Sequence, residues 1–116
     1  MSDITIYHNP RCSKSRQTLA LLQEKGIEPT VVEYLKDIPD AATLKQVIEQ
    51  LGITPRQLLR TKEAAYKEHG LNADSVTDKQ IIEAMIASPK LIERPIVIKG
   101  DQARIGRPPE TVLEIL

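Results

Sequence analysis

The sequence predicts an α/β fold in which a mixed four-stranded sheet carries a helical insertion. Two strand-like segments flank a helix near the N-terminus, a long stretch with helical periodicity follows, and two more strand-like segments precede a closing helix. At 116 residues the chain has the size of one domain, which buries a sufficient core without disulfides or structural metal. We therefore expect one domain over residues 1–116, with its core in 1–35 and 91–116 and the insertion over about 36–90.

The first part of the chain predicts a strand, a helix and a second strand. Apolar and polar side chains alternate over residues 4–7, and Asn9-Pro10 ends this strand because proline has no N–H for the ladder. The spacing then becomes that of one helix face, with members at Cys12, Ser15, Leu19, Leu22 and Gly26. Residues 29–35 are rich in β-branched side chains and predict a strand that a right-handed crossover makes parallel to the first.

Residues 36–90 have the pattern of several helices, most with a recognisable start. Asp40 or Thr43 begins the first, which Gly52 ends. Thr54 and Thr77 each open a capping box, in which a threonine and a glutamine three residues later satisfy free N–H groups. Residues 88–89, Ser-Pro, end the last helix, whereas residues 63–75 contain few apolar side chains and predict no definite element.

The end of the chain predicts a β-hairpin and a closing helix. Strands over 96–98 and 103–105 flank a loop of three to four residues around 99–101. Residues 106–109, Gly-Arg-Pro-Pro, end the second of these strands, and the prolines favour the start of a helix whose apolar face holds Val112, Leu113 and Leu116. The complete order of elements is that of a thioredoxin-like core with a helical insertion.

Composition excludes several classes of function. The 16 basic and 16 acidic side chains give a formal net charge of zero, so no overall field attracts nucleic acid or an anionic membrane. Three tyrosines are the only aromatic residues, which leaves no platform for stacking single-stranded bases. One cysteine forms no internal disulfide or metal site by itself, and the chain has neither a signal-peptide core nor a membrane-length apolar run. We expect a monomer of the reducing cytoplasm without a bound cofactor or metal.

The single cysteine, Cys12, lies where the first strand passes into the first helix, and this position favours a reactive thiolate. A free thiol has a pKa of about 8.5, and a helix N-terminus or nearby cations lower it to roughly 3.5–7.5. Cys12 has the N–H groups of the first helical turn and also Arg11, Lys14 and Arg16 close by in sequence. The alternative is a small buried apolar residue, which the polar neighbours disfavour.

The same turn predicts an anion site, and such a site needs further cations. A divalent oxyanion about 4 Å from a thiolate is repelled by roughly 8 kcal/mol at an effective dielectric near 20. Arginines from elsewhere in the chain must offset this repulsion, and each can bind an oxyanion through two hydrogen bonds. The candidates are Arg60, Arg94 and Arg107, although each taken alone is better explained as a surface charge.

Three further residues bear on the thiol. His8 either helps to orient and deprotonate Cys12 or is a hydrogen-bonded structural histidine. Pro95 opens a predicted inner strand and is a candidate cis proline at the thiol site. Ser15 completes a C-x-x-S motif without a resolving cysteine, so an outside thiol must clear any adduct on Cys12.

These motifs resemble those of the glutaredoxin-dependent arsenate reductase family, within the superfamily that also contains the Spx-like regulators. The matching segments occur in the family's order, span essentially the whole chain, and lie at residues 6–16, 58–60, 93–97 and 107–108. The Cys-Ser-Lys-Ser-Arg form of the motif, in a chain that ends at Leu116 without a longer tail, is similar to a shorter branch of the family.

The resemblance implies a thioredoxin-like fold and the reduction of arsenate to arsenite. It implies that the Cys12 thiolate attacks arsenate, that glutathione enters as co-substrate, and that glutaredoxin reduces the mixed species. The residues that match the family's oxyanion arginines, thiol-tuning histidine and cis proline are Arg60, Arg94, Arg107, His8 and Pro95.

Two alternative functions remain open. An Spx-like regulator shares this fold and docks onto RNA polymerase, but such regulators commonly use a C-x-x-C switch, and Ser15 replaces its second cysteine. A general glutathione-linked thiol oxidoreductase requires only the C-x-x-S motif, and protection of Cys12 by an oxyanion distinguishes it from an arsenate reductase.

Overall fold

A computed structural model describes residues 4–116, and these residues form two units, each with its own buried core. The sheet unit contains residues up to 37 together with 94–116, and the helical unit contains residues 38–93. The first three residues of the predicted domain lie outside the described part of the chain. The single domain with its insertion over 36–90 stays a prediction.

The sheet unit has four strands and one long helix. The strands are β1 (Ile4–Tyr7), β2 (Thr30–Val32), β3 (Ile96–Lys99) and β4 (Gln102–Ile105), and helix α1 (Ser13–Glu24) connects the first two. Their order across the sheet is β2-β1-β3-β4, with β1 and β2 parallel and the other pairs antiparallel. The predicted α/β class with a mixed four-stranded sheet is therefore confirmed.

The core of the sheet unit lies between the sheet, α1 and a closing 3₁₀ helix, Pro109–Ile115. Its buried members come from all three layers: Ile4, Ile6, Leu22, Val97, Val112 and Ile115. At about 0.8 kcal/mol per buried CH₂, these side chains provide the main apolar stabilisation of the sheet unit. This packing holds the N-terminal end of α1 at the end of β1.

Several predicted boundaries were wrong. Strand β2 is shorter than 29–35 because the backbone turns at Glu33, whose carbonyl accepts from the N–H groups of Lys36 and Asp37. The hairpin loop contains two residues, since β3 and β4 extend to Lys99 and Gln102. On α1 the buried side chains are Ser15, Thr18 and Leu22, so the predicted face is confirmed at Ser15 and Leu22, whereas Thr18 was missed.

The closing element is a 3₁₀ helix, although its position was predicted correctly. Its buried side chains are Pro109, Val112 and Ile115, at a spacing of three residues. Three residues per turn place such side chains on one side of a 3₁₀ helix. The predicted face with Leu113 was therefore wrong, and Leu113 is an exposed residue.

The helical unit contains helices α2 (Ala41–Leu51), α3 (Pro55–Leu58), α4 (Ala64–Glu68) and α5 (Asp78–Ala87), followed by a 3₁₀ turn at Pro89–Leu91. Asp40 caps α2, which ends at Gly52, and both predicted capping boxes are present at Thr54 and Thr77. The apolar faces of α2, α3 and α5 pack together. Within residues 4–116, every helix is too short or too polar to cross a bilayer.

The capping box of α5 provides a test of the helical unit. Thr77 Oγ1 accepts from the N–H of Gln80 at 3.2 Å, and Gln80 Oε1 accepts from the N–H of Thr77 at 2.8 Å. We expect Thr77→Ala to lower the free energy of unfolding by about 1 kcal/mol in urea denaturation, because the Gln80 N–H at the start of α5 loses its side-chain partner. Thr61→Ala, at an exposed turn, is the matched control, and an equal loss in both variants would contradict the role of the cap.

Candidate active site

Cys12 occupies the N-cap position of α1, immediately after the turn that ends β1. Its backbone is extended, with φ −94° and ψ 124°, and its carbonyl accepts from the N–H of Arg16 at 3.0 Å. The turn is closed by the Cys12 N–H, which donates to the Asn9 carbonyl at 3.0 Å. The Cys12 residue is only 8% exposed, so its sulfur depends mostly on protein groups for stabilisation of a charge.

The surroundings of Cys12 favour the thiolate. Burial raises the pKa of Cys12, but hydrogen bonds from the backbone N–H groups of Ser15 and Lys14, together with the hydrogen bond and charge of Arg94, more than compensate. The net result is a pKa below the ordinary value of a cysteine. Free N–H groups at a helix start stabilise anions in this way, so the predicted reactive thiol is supported by the geometry.

Two of the three predicted arginines lie at this turn. In the sheet, Tyr7 at the end of β1 pairs with Ile96, near the start of β3, and Ile96 pairs with Ile105 at the end of β4. The end of β1, the start of β3 and the end of β4 therefore lie side by side at one end of the sheet. Arg94 precedes β3 there, and Arg107 follows β4.

The two arginine side chains reach the thiol in different ways. Arg107 Nε donates to the Arg94 carbonyl at 2.7 Å, and Arg107 Nη2 lies 3.5 Å from Cys12 Sγ. Arg107 is exposed, so water screens its charge, whereas Arg94 is half-buried and has the larger effect on the thiol. The Arg94–Pro95 bond is cis, as expected, and the Arg107–Pro108 bond is also cis.

His8, Ser15 and Asn9 form a buried hydrogen-bonded cluster beside the thiol. His8 Nδ1 lies 2.6 Å from Ser15 Oγ, and the Asn9 N–H donates to the same oxygen at 3.0 Å. Burial lowers the pKa of His8, the Glu33 charge opposes this, and the Arg16 charge adds to it. The contact with Ser15 is what the structural reading of His8 predicts, and a role of His8 in orienting or deprotonating Cys12 stays a prediction.

Arg60 lies in the helical unit, at the end of the predicted Leu-Leu-Arg motif. Its Nη1 donates to Glu93 Oε1 at 3.1 Å, and its Nε lies 3.4 Å from Glu63 Oε1. The Arg60 N–H donates to the Leu91 carbonyl at 2.8 Å, which fixes the backbone from which the side chain extends. Sequence reasoning missed both carboxylate partners, and the role of Arg60 toward an anion stays a prediction.

Two other residues at the thiol turn were missed as functional candidates. Thr18 is fully buried, and its Oγ1 donates to the Lys14 carbonyl at 2.9 Å. Gly106, which was interpreted only as the stop of β4, is buried against Thr18 and Pro95. A glycine directly before a candidate anion-binding arginine is the one signal in the sequence that pointed to it.

Comparison with known protein families identifies the chain. The model of the ArsC family matches residues 7–115. The chain belongs to the ArsC family. Its site residues Cys12, Arg94 and Arg107 therefore lie in the part of the chain that carries the family resemblance.

Individual relatives agree with the ArsC assignment. The uncharacterized protein YfgD of Escherichia coli is 55% identical over 114 residues, which are 97% of this chain and 96% of that protein. A protein of Haemophilus influenzae named arsenate reductase is 50% identical over 114 residues, 97% of this chain and 98% of its own length. A solved structure titled arsenate reductase from Vibrio cholerae has 53% identity and a TM-score of 0.95, with 97% of each chain covered. The predicted thioredoxin-like fold and the resemblance to arsenate reductases are confirmed.

The pKa of the thiol can be measured through its reactivity. Because only the thiolate is alkylated, labelling of Cys12 by iodoacetamide at increasing pH should reach half its maximum below the midpoint of a free cysteine peptide. We expect Arg94→Ala to move this midpoint upward by roughly 1 pH unit, since an opposite charge is lost. Arg104→Ala, which removes an arginine of β4 paired with Glu114, should leave the midpoint unchanged. A wild-type midpoint at or above that of the peptide would contradict the assignment.

The protonation state of His8 can be tested separately. Its pKa is lowered by burial, so the unfolded chain takes up a proton near pH 6.5 that the folded protein accepts only at lower pH. The His8 contribution to stability is thus complete above about pH 6.5 and is lost as the pH falls through the folded-state value. In urea titrations we expect the free energy of unfolding to fall less between pH 7 and 5 for His8→Gln than for the wild type. NMR titration of the wild-type ring should give a pKa below about 6.5. A His8 ring that titrates above that value would refute this.

Proposed function

We propose that this chain reduces arsenate to arsenite, with the Cys12 thiolate as the nucleophile. The observation that carries the proposal is the meeting of a stabilised thiolate with the guanidinium groups of Arg94 and Arg107 at the first turn of α1. The names of the relatives in Haemophilus influenzae and Vibrio cholerae support arsenate as the oxyanion. The enzyme class is that of an oxidoreductase that acts through a single thiol.

In the proposed first step the sulfur of Cys12 attacks the arsenic atom. A bond forms between Sγ and arsenic, and one arsenate oxygen leaves as water after it takes up protons. The guanidinium groups of Arg94 and Arg107 offset the repulsion between thiolate and dianion, which is roughly 8 kcal/mol for two charges of the dianion about 4 Å away. The arginines also orient the oxyanion, because each guanidinium presents parallel N–H groups.

The reducing equivalents come from thiols outside the chain. Ser15 occupies the place of a second cysteine, and its hydroxyl is committed to His8 and Asn9. We propose glutathione as the co-substrate and glutaredoxin as the protein that reduces the mixed species, in the reducing cytoplasm and with a monomeric enzyme. Overall, one arsenic acid molecule and two thiols yield one arsenious acid molecule, one disulfide and one water, so arsenic gains two electrons and each sulfur loses one.

Arg60 is proposed as the third arginine that holds the oxyanion. Its pairs with Glu63 and Glu93 fix the guanidinium through contacts of 3.4 and 3.1 Å. These carboxylates are about a third exposed, so water weakens both ion pairs and the guanidinium can exchange a carboxylate for an oxyanion. The family resemblance at residues 58–60 supports this role.

The decisive experiment is a coupled assay of arsenite release with purified protein, arsenate, glutathione and glutaredoxin. We expect wild-type protein to release arsenite and Cys12→Ser to release none. Arg94→Ala and Arg107→Ala should each lower kcat/KM by roughly ten- to a hundredfold, the range for a lost hydrogen bond to a charged group, with near-native unfolding curves. Arg104→Ala should retain full activity. Wild-type arsenite release no higher than that of Cys12→Ser would refute arsenate reduction.

A further inference from the structure

Gly106 connects the end of β4 to Arg107 and has close neighbours on two sides. A Cβ atom at this position would lie 2.5 Å from Thr18 Oγ1, 3.1 Å from Thr18 Cγ2 and 2.9 Å from Pro95 Cγ. Gly106 does not have the positive φ of the turn glycines, such as Gly100. The position therefore requires glycine for space and not for backbone conformation.

The neighbours of Gly106 are poorly able to move aside. Thr18 is fully buried, and its Oγ1 donates to the Lys14 carbonyl at 2.9 Å. The N–H of Lys14 is itself one of the two backbone donors to the Cys12 sulfur. A displacement of Thr18 would thus disturb the turn that holds the thiolate, because interiors are close-packed and transmit strain.

The backbone at Gly106 determines where Arg107 lies. The Gly106 N–H donates to the Pro95 carbonyl at 2.9 Å, and the Arg107 N–H donates to the Ile105 carbonyl at 2.9 Å. The Arg107 side chain is exposed, and the Nε bond to the Arg94 carbonyl and the Nη2 contact with Cys12 anchor it. Both anchors require the segment to remain close to α1 and to Pro95.

We propose that Gly106 is a positioning residue of the oxyanion site, because its missing side chain allows residues 106–107 to lie against Thr18 and Pro95 and so holds Arg107 at Cys12. Gly106 acts through Arg107 and does not itself touch the substrate. The inference deepens the proposed function and rests on it only for the identity of the anion. Its measurable consequence is that the effect of a side chain at Gly106 depends on Arg107.

The test is the protection of Cys12 against iodoacetamide by arsenate, measured as the concentration that halves the labelling rate. We expect Gly106→Ala to raise this concentration by roughly ten- to a hundredfold, as Arg107→Ala does. The double variant Gly106→Ala/Arg107→Ala should be no worse than Arg107→Ala alone, since both changes remove the same contact. Gly100→Ala is the matched control, because a Cβ there meets open space and any loss of stability arises from the turn.

A second variant keeps the test valid where Gly106→Ala folds poorly. The double variant Thr18→Ala/Gly106→Ala removes both Thr18 atoms that lie near the added Cβ. We expect arsenate to protect it better than it protects Gly106→Ala. Where Gly106→Ala alone does not fold, we expect the double variant to fold and to be protected. Losses at Gly106 and Arg107 that add in the double variant, or full protection in Gly106→Ala, would overturn the proposal. If arsenate does not protect the wild type, the proposed function fails, and the positioning role is then judged from crystal structures of the wild type and of Gly106→Ala. Loss of the 3.5 Å contact between Arg107 Nη2 and Cys12 Sγ in Gly106→Ala supports that role, and a contact that is kept overturns it.

Discussion

The stabilisation of a negative sulfur at the start of α1 is the interaction on which the rest of the site depends. Burial alone makes a thiolate less stable, and here the backbone N–H groups of Lys14 and Ser15 and the Arg94 guanidinium reverse that effect. Hydrogen bonds to charged groups contribute about 1.5–3 kcal/mol each, so a few donors are sufficient. A helix start presents free N–H groups to an atom at the N-cap, and Cys12 occupies that position in α1.

The order of the strands supplies the cations that this turn lacks. Because β1 and β3 are antiparallel, as are β3 and β4, the end of β1 and the end of β4 lie beside the start of β3. Arg94 and Arg107 are 13 positions apart in the chain, yet Arg107 donates to the Arg94 carbonyl. A hairpin with a two-residue loop brings such positions together with little flexible chain between them, so the entropy lost on closing the site is small.

Features of the fold and the site were predictable from the sequence where the interacting residues lie close together in the chain. The capping boxes at Thr54 and Thr77 were predicted correctly, and Asp40 was one of two predicted starts of α2, because each cap involves residues only three positions apart. The place of Cys12 at the turn from strand to helix was predicted from a strand pattern, a proline and a helix pattern for the same reason. The 3₁₀ type of the closing helix was not predicted, because it depends on which of its side chains pack against the sheet and α1. Gly106 was interpreted as a strand stop, since only the tertiary structure shows Thr18 and Pro95 beside it. The Arg60–Glu93 pair was missed for the same physical reason, as these two residues are 33 positions apart.

The residue at position 15 links the shape of the turn to the kind of redox chemistry it supports. Ser15 is fully buried, and its hydroxyl oxygen is within hydrogen-bond distance of both His8 Nδ1 and the Asn9 N–H. A hydroxyl both donates and accepts strong hydrogen bonds, whereas a thiol does both weakly and occupies more space. A second cysteine would therefore provide a resolving thiol but would weaken the cluster that fixes the loop between β1 and Cys12. With serine the turn keeps its geometry, and in the proposed reaction the electrons that regenerate Cys12 come from thiols outside the chain.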